Sequence, residues 1–486
     1  MLVSRWARLC AAVLLFSSPL AAATYSVGPG QPLNSVGAVP WATLQPGDVV
    51  EIHWRAEPYR EKWVLNRRGT AGAPIRVVGV PSANGDRPVI DGRDAVTAPG
   101  LNYTNEQRGV LKIGSSNVPA DGLPAHLVIE GLEIRSGRPP YSFTDDNGQS
   151  ASYVDNAASI YIEKGEHIIL RNCVLHDSGN GLFIGAFDGQ TKDILIEGNW
   201  LHSNGAVGRF LEHNAYTEAL GITYQYNRFS ALRPGADGNN LKDRSAGLVV
   251  RYNWIEDGNR QLDLVDAGTS TLYDDPSYRQ TFVYGNVLIE GDGEGNSQIV
   301  HYGGDSGNTA RYRKGTLYFF HNTVVSERSG NTTLLRLPTN DETADVRNNV
   351  LYVEQPGSRL AMLNAAGVLD LVRNWTKPGW RDSHSTLTGT VNDAGNGITS
   401  ASPLFVDEAG QDYRLSIASP ARDAAVPLHA SALPDHALLA EYVRHQSAAE
   451  RAAFGPADLG AFETCGSSGC GAIFEDGFEA GDLSAW

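Results

Sequence analysis

Three stretches decide the fold: ILIEGNWLH at 194–202, ITYQYNRFS at 222–230 and LVVRYNWIE at 248–256. Each places a run of apolar or β-branched residues, a polar residue or two, an Asn, and a second apolar run. The pattern recurs in IILRNCVLH (168–176), TFVYGNVLI (281–289), LYFFHNTVV (317–325) and DVRNNVLYV (345–353). The asparagines are Asn172, Asn199, Asn227, Asn253, Asn286, Asn322 and Asn349, separated by 27, 28, 26, 33, 36 and 27 residues. A repeat of this length with strand-like content is the mark of a solenoid, in which each unit buries its apolar face only by stacking on its neighbours. Helical periodicity is nearly absent from 125 to 353, and Gly, Asn, Asp and Ser clusters punctuate the apolar runs. These features predict an all-β chain, a single-stranded parallel β-helix with one coil per repeat and coils about 4.7–4.9 Å apart. The repeated Asn is expected at a sharp corner, where it tolerates left-handed backbone and its amide hydrogen-bonds along the stack. Asn199, Asn227 and Asn253 should therefore form a continuous amide ladder.

The ends read differently. Arg5 and Arg8, the apolar stretch Ala11 to Phe16 and the small residues Ala21 to Ala23 make residues 1–23 a signal peptide. Its apolar run is too short to span a membrane, and no later stretch reaches about 18 apolar residues, so no transmembrane segment is expected. The formal charge is −16, and −18 once Arg5 and Arg8 leave. That balance argues against nucleic acid as a partner, and means that an anionic ligand needs a local basic patch. Of the four cysteines, Cys465 and Cys470 in CGSSGC are expected to close a small disulfide loop after export, and Cys173 to be a buried free thiol. The run Ala38 to Leu44 is read as a helix-like cap on the open end of the core. Residues 138–158 are read as a loop beside a binding face, and Ala430 to Phe454 as the chain's best helical pattern.

The stretches TYSVGPGQPLNSV (24–36), LQPGDVVEIHWRAEPYREKWVLNRRGTAGAPIRVVG (44–79) and RPVIDG (87–92) resemble the N-terminal start of secreted right-handed parallel β-helix proteins of the pectate-lyase-like superfamily. SPLFVDEAGQDYRLSIASPARDAA (402–425) and DLGAFE (458–463) resemble their closing segment. The resemblance implies a right-handed β-helix with N- and C-terminal caps over residues 24–463. The remainder, 464–486, ends in IFEDGFEAGDLSAW, which resembles a C-terminal tail on exported proteins of Gram-negative bacteria. It implies handling by outer-surface sorting machinery, the alternative being an ordinary acidic tail; with the signal peptide, a secreted or cell-surface protein is expected, and a monomer. The superfamily includes polysaccharide lyases, polygalacturonase-type hydrolases and non-catalytic surface proteins, so function must be argued from a site.

Because side chains alternate in and out along a strand, equivalent outward residues of successive coils become neighbours. Aligning NGLFIGA, EHNAYTEA, NNLKDRSA, QLDLVDAG, SQIVHYGG and TTLLRLPT stacks His213, Asn214 and Tyr216 beside Lys242 and Arg244, with either His213 and Ala215 or Asn214 and Tyr216 facing out. Asp263 and Asp266 follow, then His301, then Arg336. The stability of a solenoid requires no such strip of ionisable groups. It suits an acidic polysaccharide, and the chemistry it supports best is β-elimination at a uronate. That reaction needs the substrate carboxylate neutralised, a base for the C5 proton and an acid for the leaving oxygen. Arg244 is assigned to the carboxylate. Lys242, if crowded by Arg244, has a lowered pKa and serves as base. Tyr216 or His213 is the acid, and Asn214, Asn240, Asp263, Asp266, His301 and Arg336 bind substrate. A calcium ion could also neutralise the carboxylate, with oxygen donors at Asp237, Asn239 and Asn240 or at Asp292 and Glu294, although neither spacing is diagnostic. The alternatives are a polygalacturonase-like hydrolase using Asp263 and Asp266 and a carbohydrate-binding surface protein without catalysis.

Overall fold

The structure, a computed structural model, describes residues 22–453 and 455–464. The signal-peptide residues 1–21, the Cys465–Cys470 pair and the C-terminal tail lie outside the described residues.

The apolar runs on either side of each Asn are short parallel strands in two different sheets, and the Asn is the corner between them. One coil runs through Thr191–Glu197, turns at Asn199, continues through Trp200–His202 and returns through Ala215–Thr217. The next uses Leu220–Gln225, Arg228–Phe229 and Leu241–Asp243, and the one after it Ala246–Arg251, Trp254–Glu256 and Leu262–Leu264. Stacked, the coils build sheets of 13, 11 and 13 strands, and coil pairs with coil in parallel, the exception in these sheets being the antiparallel hairpin of Ser142–Thr144 with Ser150–Ser152 at one edge. The fold is a right-handed parallel β-helix. Inward residues form continuous apolar rows, such as Leu182, Ala215, Leu241, Leu262, Val300 and Leu335, all buried. Each Leu or Val of the row contributes about 1.5–3 kcal/mol relative to exposure.

The Asn ladder is continuous and longer than expected. The amide of Asn199 donates to Oδ1 of Asn227 at 3.0 Å, and the chain continues through Asn253, Asn286, Asn322 and Asn349 to Asn374. Two details differ from the sequence reading. Cys173, not Asn172, stands at the first ladder position, where its N–H donates to Oδ1 of Asn199 at 2.9 Å. The left-handed residue is also the one before each ladder Asn. Asn172, Gly198, Tyr226, Tyr252, Gly285, His321, Asn348 and Arg373 all have φ between 49° and 65°. The Asn itself is needed for its amide, which satisfies buried backbone groups of the preceding coil and bonds to the Asn side chain of the next. Cys173 is a buried free thiol whose pKa burial pushes up to about 12.

The N-terminal run folds as two single turns, Val36–Ala38 and Trp41–Thr43, and Trp41 stacks on Trp63 with ring centroids 5.0 Å apart. The expected helix near 430–454 is absent. Its residues form a short turn at Ala430–Ala432 and a hairpin of Ala440–Val443 with Ser447–Glu450. The reason is tertiary. The outer faces of the coils present ready-made aromatic rows, and an extended segment covers them residue by residue. His436 lies on Phe282 with centroids 3.7 Å apart, and Tyr442 packs on Trp254 at 6.0 Å. Among the described residues, no helix is long and apolar enough to cross a membrane.

Candidate active site on the third sheet

The outward row of the third sheet is in register from coil to coil. Tyr161 pairs with Phe183, Phe183 with Tyr216, Tyr216 with Lys242, Lys242 with Asp263, Asp263 with His301, and His301 with Arg336. The row changes abruptly from aromatic to ionisable between Phe183 and Lys242. It forms the floor of a cleft of about 690 Å³, within the size range of small-ligand sites. Val154, Asp155 and Asn156, from the insertion at 138–158, form part of one wall, together with the loop Arg209–Glu212. Five Lys or Arg side chains (Arg209, Lys242, Arg244, Arg260, Arg336) line it against four carboxylates (Asp155, Glu212, Asp263, Asp305). The whole chain, by contrast, has 39 against 55.

Charge is tightly paired within this cleft. Lys242 Nζ contacts Asp263 Oδ2 at 2.6 Å and Asp305 Oδ2 at 2.5 Å. Arg244 reaches the other oxygen of Asp305 at 2.9 Å, and its Nε donates to the Tyr216 hydroxyl at 2.9 Å. Asp305 therefore stands between Lys242 and Arg244, and the crowding of the lysine by the arginine expected from sequence is replaced by two ion pairs. Asp263 Oδ1 meets Nδ1 of His301 at 2.8 Å, and Asn239 donates its amide to Asp263 Oδ2 at 3.0 Å. Burial opposes ionisation of Asp263, but the His301 hydrogen bond and the Lys242 charge overcome it and hold the carboxyl well below the usual range. Asp263 is thus the acceptor and His301 Nδ1 the donor. That leaves Nε2 of His301 as the imidazole's second nitrogen, buried and without a hydrogen-bond partner among the described residues.

His213 sits in the cleft wall with Nδ1 accepting the N–H of Asn239 at 2.9 Å. Burial, together with the Lys242 charge, lowers its pKa to about 3. It is a neutral imidazole with its proton on Nε2, so it can donate a hydrogen bond but is a far weaker acid than an imidazolium, and this environment favours Tyr216 over His213 as the proton donor.

Three other expected site residues do not face the cleft. Asn214 and Asn240 lie in a second, buried amide ladder. Asn204 donates to Asn214 at 2.9 Å, Asn214 donates to Asn240 at 2.6 Å, and Asn240 donates to the carbonyls of Glu256 and Asp257. Their amides are spent on backbone, as a corner requires. Asp266 is buried, and its carboxylate accepts the N–H groups of Asp305 and Ser306. It shapes the loop after His301 and makes no carboxylate pair with Asp263. Of the oxygen donors suggested for calcium, Asn240 is engaged by the ladder and Asp292 by Ser329 at 3.0 Å, whereas Asn239 spends its amide nitrogen on Asp263 and keeps a buried Oδ1 without a hydrogen-bond partner among the described residues.

Sequence reasoning missed Asp305, Arg260 and the Arg209–Glu212 pair. Asp305 follows the site strand Gln298–Tyr302 in a Gly-Gly-Asp-Ser-Gly loop, a signal that was available in the sequence. Arg260 and Arg209 lie in irregular loops that no alternation rule reaches.

No protein-family model matches this chain, and neither does any curated protein. Among solved structures it is similar to pectate lyase Pel9A, at 13% identity over 91% of this chain and 96% of that one, with a TM-score of 0.50. The shared fold is the parallel β-helix. The alginate lyase from Paenibacillus sp. str. FPU-7 matches at 13% identity over 76% of this chain and 99% of that one, with a TM-score of 0.42. A rhamnogalacturonan lyase matches at 14% identity, over 85% and 97%, with a TM-score of 0.41. At 13% identity the likeness to the pectate lyase shows the fold alone, and the chemistry rests on the cleft.

Proposed function

We propose that this protein is an exported polysaccharide lyase that cleaves a uronate-containing chain by β-elimination. The reading rests on one observation, the in-register strip Tyr216–Lys242–Asp263–His301 with Arg244 beside it. In one cleft the strip holds cations for a carboxylate, an oriented imidazole and a phenol. Lys242 and Arg244 together neutralise the substrate carboxylate, which acidifies the neighbouring C5 proton. His301, oriented by Asp263 through Nδ1–H, takes that proton on Nε2, the arrangement in which a carboxylate fixes the tautomer of a base. Tyr216, whose oxygen already accepts from Arg244, turns its O–H toward the leaving glycosidic oxygen. This reassigns the base from Lys242 to His301, because Lys242 is an ion-pair partner of two carboxylates and not a crowded amine.

The test is depolymerisation of a panel of pectin, alginate and glycosaminoglycans, followed by ultraviolet absorbance of unsaturated uronate ends. Absorbance rising on one acidic polymer is the expected result. A carboxylate-based hydrolase is the second reading, favoured by Asp263 and Asp305 flanking one lysine nitrogen. It would give new reducing ends with no absorbance. Binding without either product would make the protein a carbohydrate-binding module.

A further inference from the structure

Two carboxylates touch Lys242, and they differ in kind. Asp263 has a side chain only 4% exposed, and it is also held by His301 and Asn239. Asp305 is 31% exposed, and among the described residues its carboxylate touches only Lys242 and Arg244. The backbone carrying Asp305 is pinned independently of its side chain. Asp266 accepts the N–H groups of Asp305 and Ser306, at 2.7 and 3.2 Å. Gly303 bonds to Leu264, and the fully buried Arg313 closes the loop with three donations to backbone carbonyls. Rotation of one side chain therefore frees the fork between Lys242 Nζ and the Arg244 guanidinium while the loop stays in place.

We propose that this fork is the seat of a sugar carboxylate, and that Asp305 occupies it in the free protein as a built-in mimic which the substrate displaces. The inference rests on the uronate reading above and names the subsite. The exchange swaps one carboxylate for another, so the buried Lys242–Asp263 pair keeps its charge balance throughout. A neutral sugar has no group to replace Asp305 and leaves the fork closed, so the device selects for acidic residues. Its cost is a weaker apparent affinity, because only the fraction of molecules with the fork open can bind.

Asp305→Asn tests this, since it keeps the shape and the backbone anchor to Asp266 but removes the mimic's charge. Asp305→Ala is the second variant, and unchanged thermal unfolding of either one certifies the fold. Calorimetric titration uses a trisaccharide of galacturonic acid, one of mannuronic acid and one of galactose. The expected result is that both variants bind an acidic trisaccharide about tenfold more tightly than the native chain, bind galactose trisaccharide no better, and lose the gain when Arg244→Ala is added. If the native chain binds an acidic trisaccharide and the variants bind it equally or more weakly, Asp305 is part of the binding site and the mimic is overturned, with the lyase reading intact. If no form binds any acidic trisaccharide, the uronate reading itself falls, and the seat with it.

Discussion

Asp263 and His301 lie on adjacent coils, 38 residues apart in sequence, and share a 2.8 Å hydrogen bond in the floor of the cleft. The carboxylate is held ionised by its neighbours, so the bond fixes the imidazole tautomer and directs the proton-accepting nitrogen away from Asp263. If this dyad removes the C5 proton, His301→Ala lowers kcat by about 10²–10⁴-fold with little change in KM. Asp263→Asn is expected to do the same, as the wrong tautomer is then favoured. Steady-state kinetics on the polymer that gives unsaturated products is the measurement. A His301→Ala enzyme with native kcat would end the assignment.

Lys242 and Arg244 act on the carboxylate in this scheme, so their removal is expected to raise KM and, because the neutralised carboxylate acidifies the C5 proton, to lower kcat as well. Arg244→Ala and Lys242→Ala should each raise KM by at least tenfold, and the loss at Arg244 should grow with salt as the remaining cations are screened. Lys242→Ala carries a further cost because it leaves Asp263 and Asp305 without their shared cation. A complete loss of kcat in Lys242→Ala, with His301→Ala still active, would return the base to Lys242.

The ladder makes a stability prediction that is independent of function. Asn227 donates its amide to Ile196 O and Asn253 Oδ1, and its own Oδ1 accepts from Asn199 N–H and Nδ2. Asn227→Ala removes the partners of Ile196 O and Asn199 N–H in the preceding coil and one of the two donors to Asn253 Oδ1, and is expected to cost about 2–4 kcal/mol in urea unfolding. Asn172→Ala, outside the ladder, is expected to cost less than about 1 kcal/mol.

Asp243 and Lys242 are consecutive but face opposite sides of the sheet. Asp243 is fully buried among Thr217, Ser245 and Arg313, and the Arg313 guanidinium lies 3.5 Å from its carboxylate. Arg313→Ala leaves an uncompensated buried carboxylate and unfastens the Asp305 loop, with an expected loss of about 3–5 kcal/mol. Adding Asp243→Asn should recover part of that loss. Thermal unfolding of the single and double variants checks it.

His213 gives a pH dependence. Its folded pKa is about 3, against an ordinary value of 6.5, so the unfolded chain binds a proton that the folded one does not between those values. Its contribution is fully present above pH 6.5 and is lost progressively as pH falls toward 3. Replacement by Gln should flatten the stability–pH curve in that window by a few kcal/mol, read from denaturant midpoints between pH 7 and pH 4. A native curve already flat there would show that His213 is not held neutral.

Much of the site was legible in the sequence, for a geometric reason. In a solenoid, adjacency in space follows from alignment of the repeats, and strict alternation along a strand sends Leu241 and Leu262 inward and Lys242 and Asp263 outward. The row Tyr216, Lys242, Asp263, His301 and Arg336 could therefore be written down from residue order alone. So could the Asn ladder, because its asparagines recur at the repeat period. Alternation fails where the strand ends. Asn214 and Asn240 sit at a corner, where backbone groups without ladder partners take up their amides. Only the tertiary structure decided three things: that Asp305 comes back over Lys242 and Arg244, that His213 gives its Nδ1 to a backbone N–H, and that 440–450 is a hairpin rather than a helix. Each depends on an irregular loop or an outer segment whose path no repeat dictates, and whose partners are supplied by coils far away in the chain.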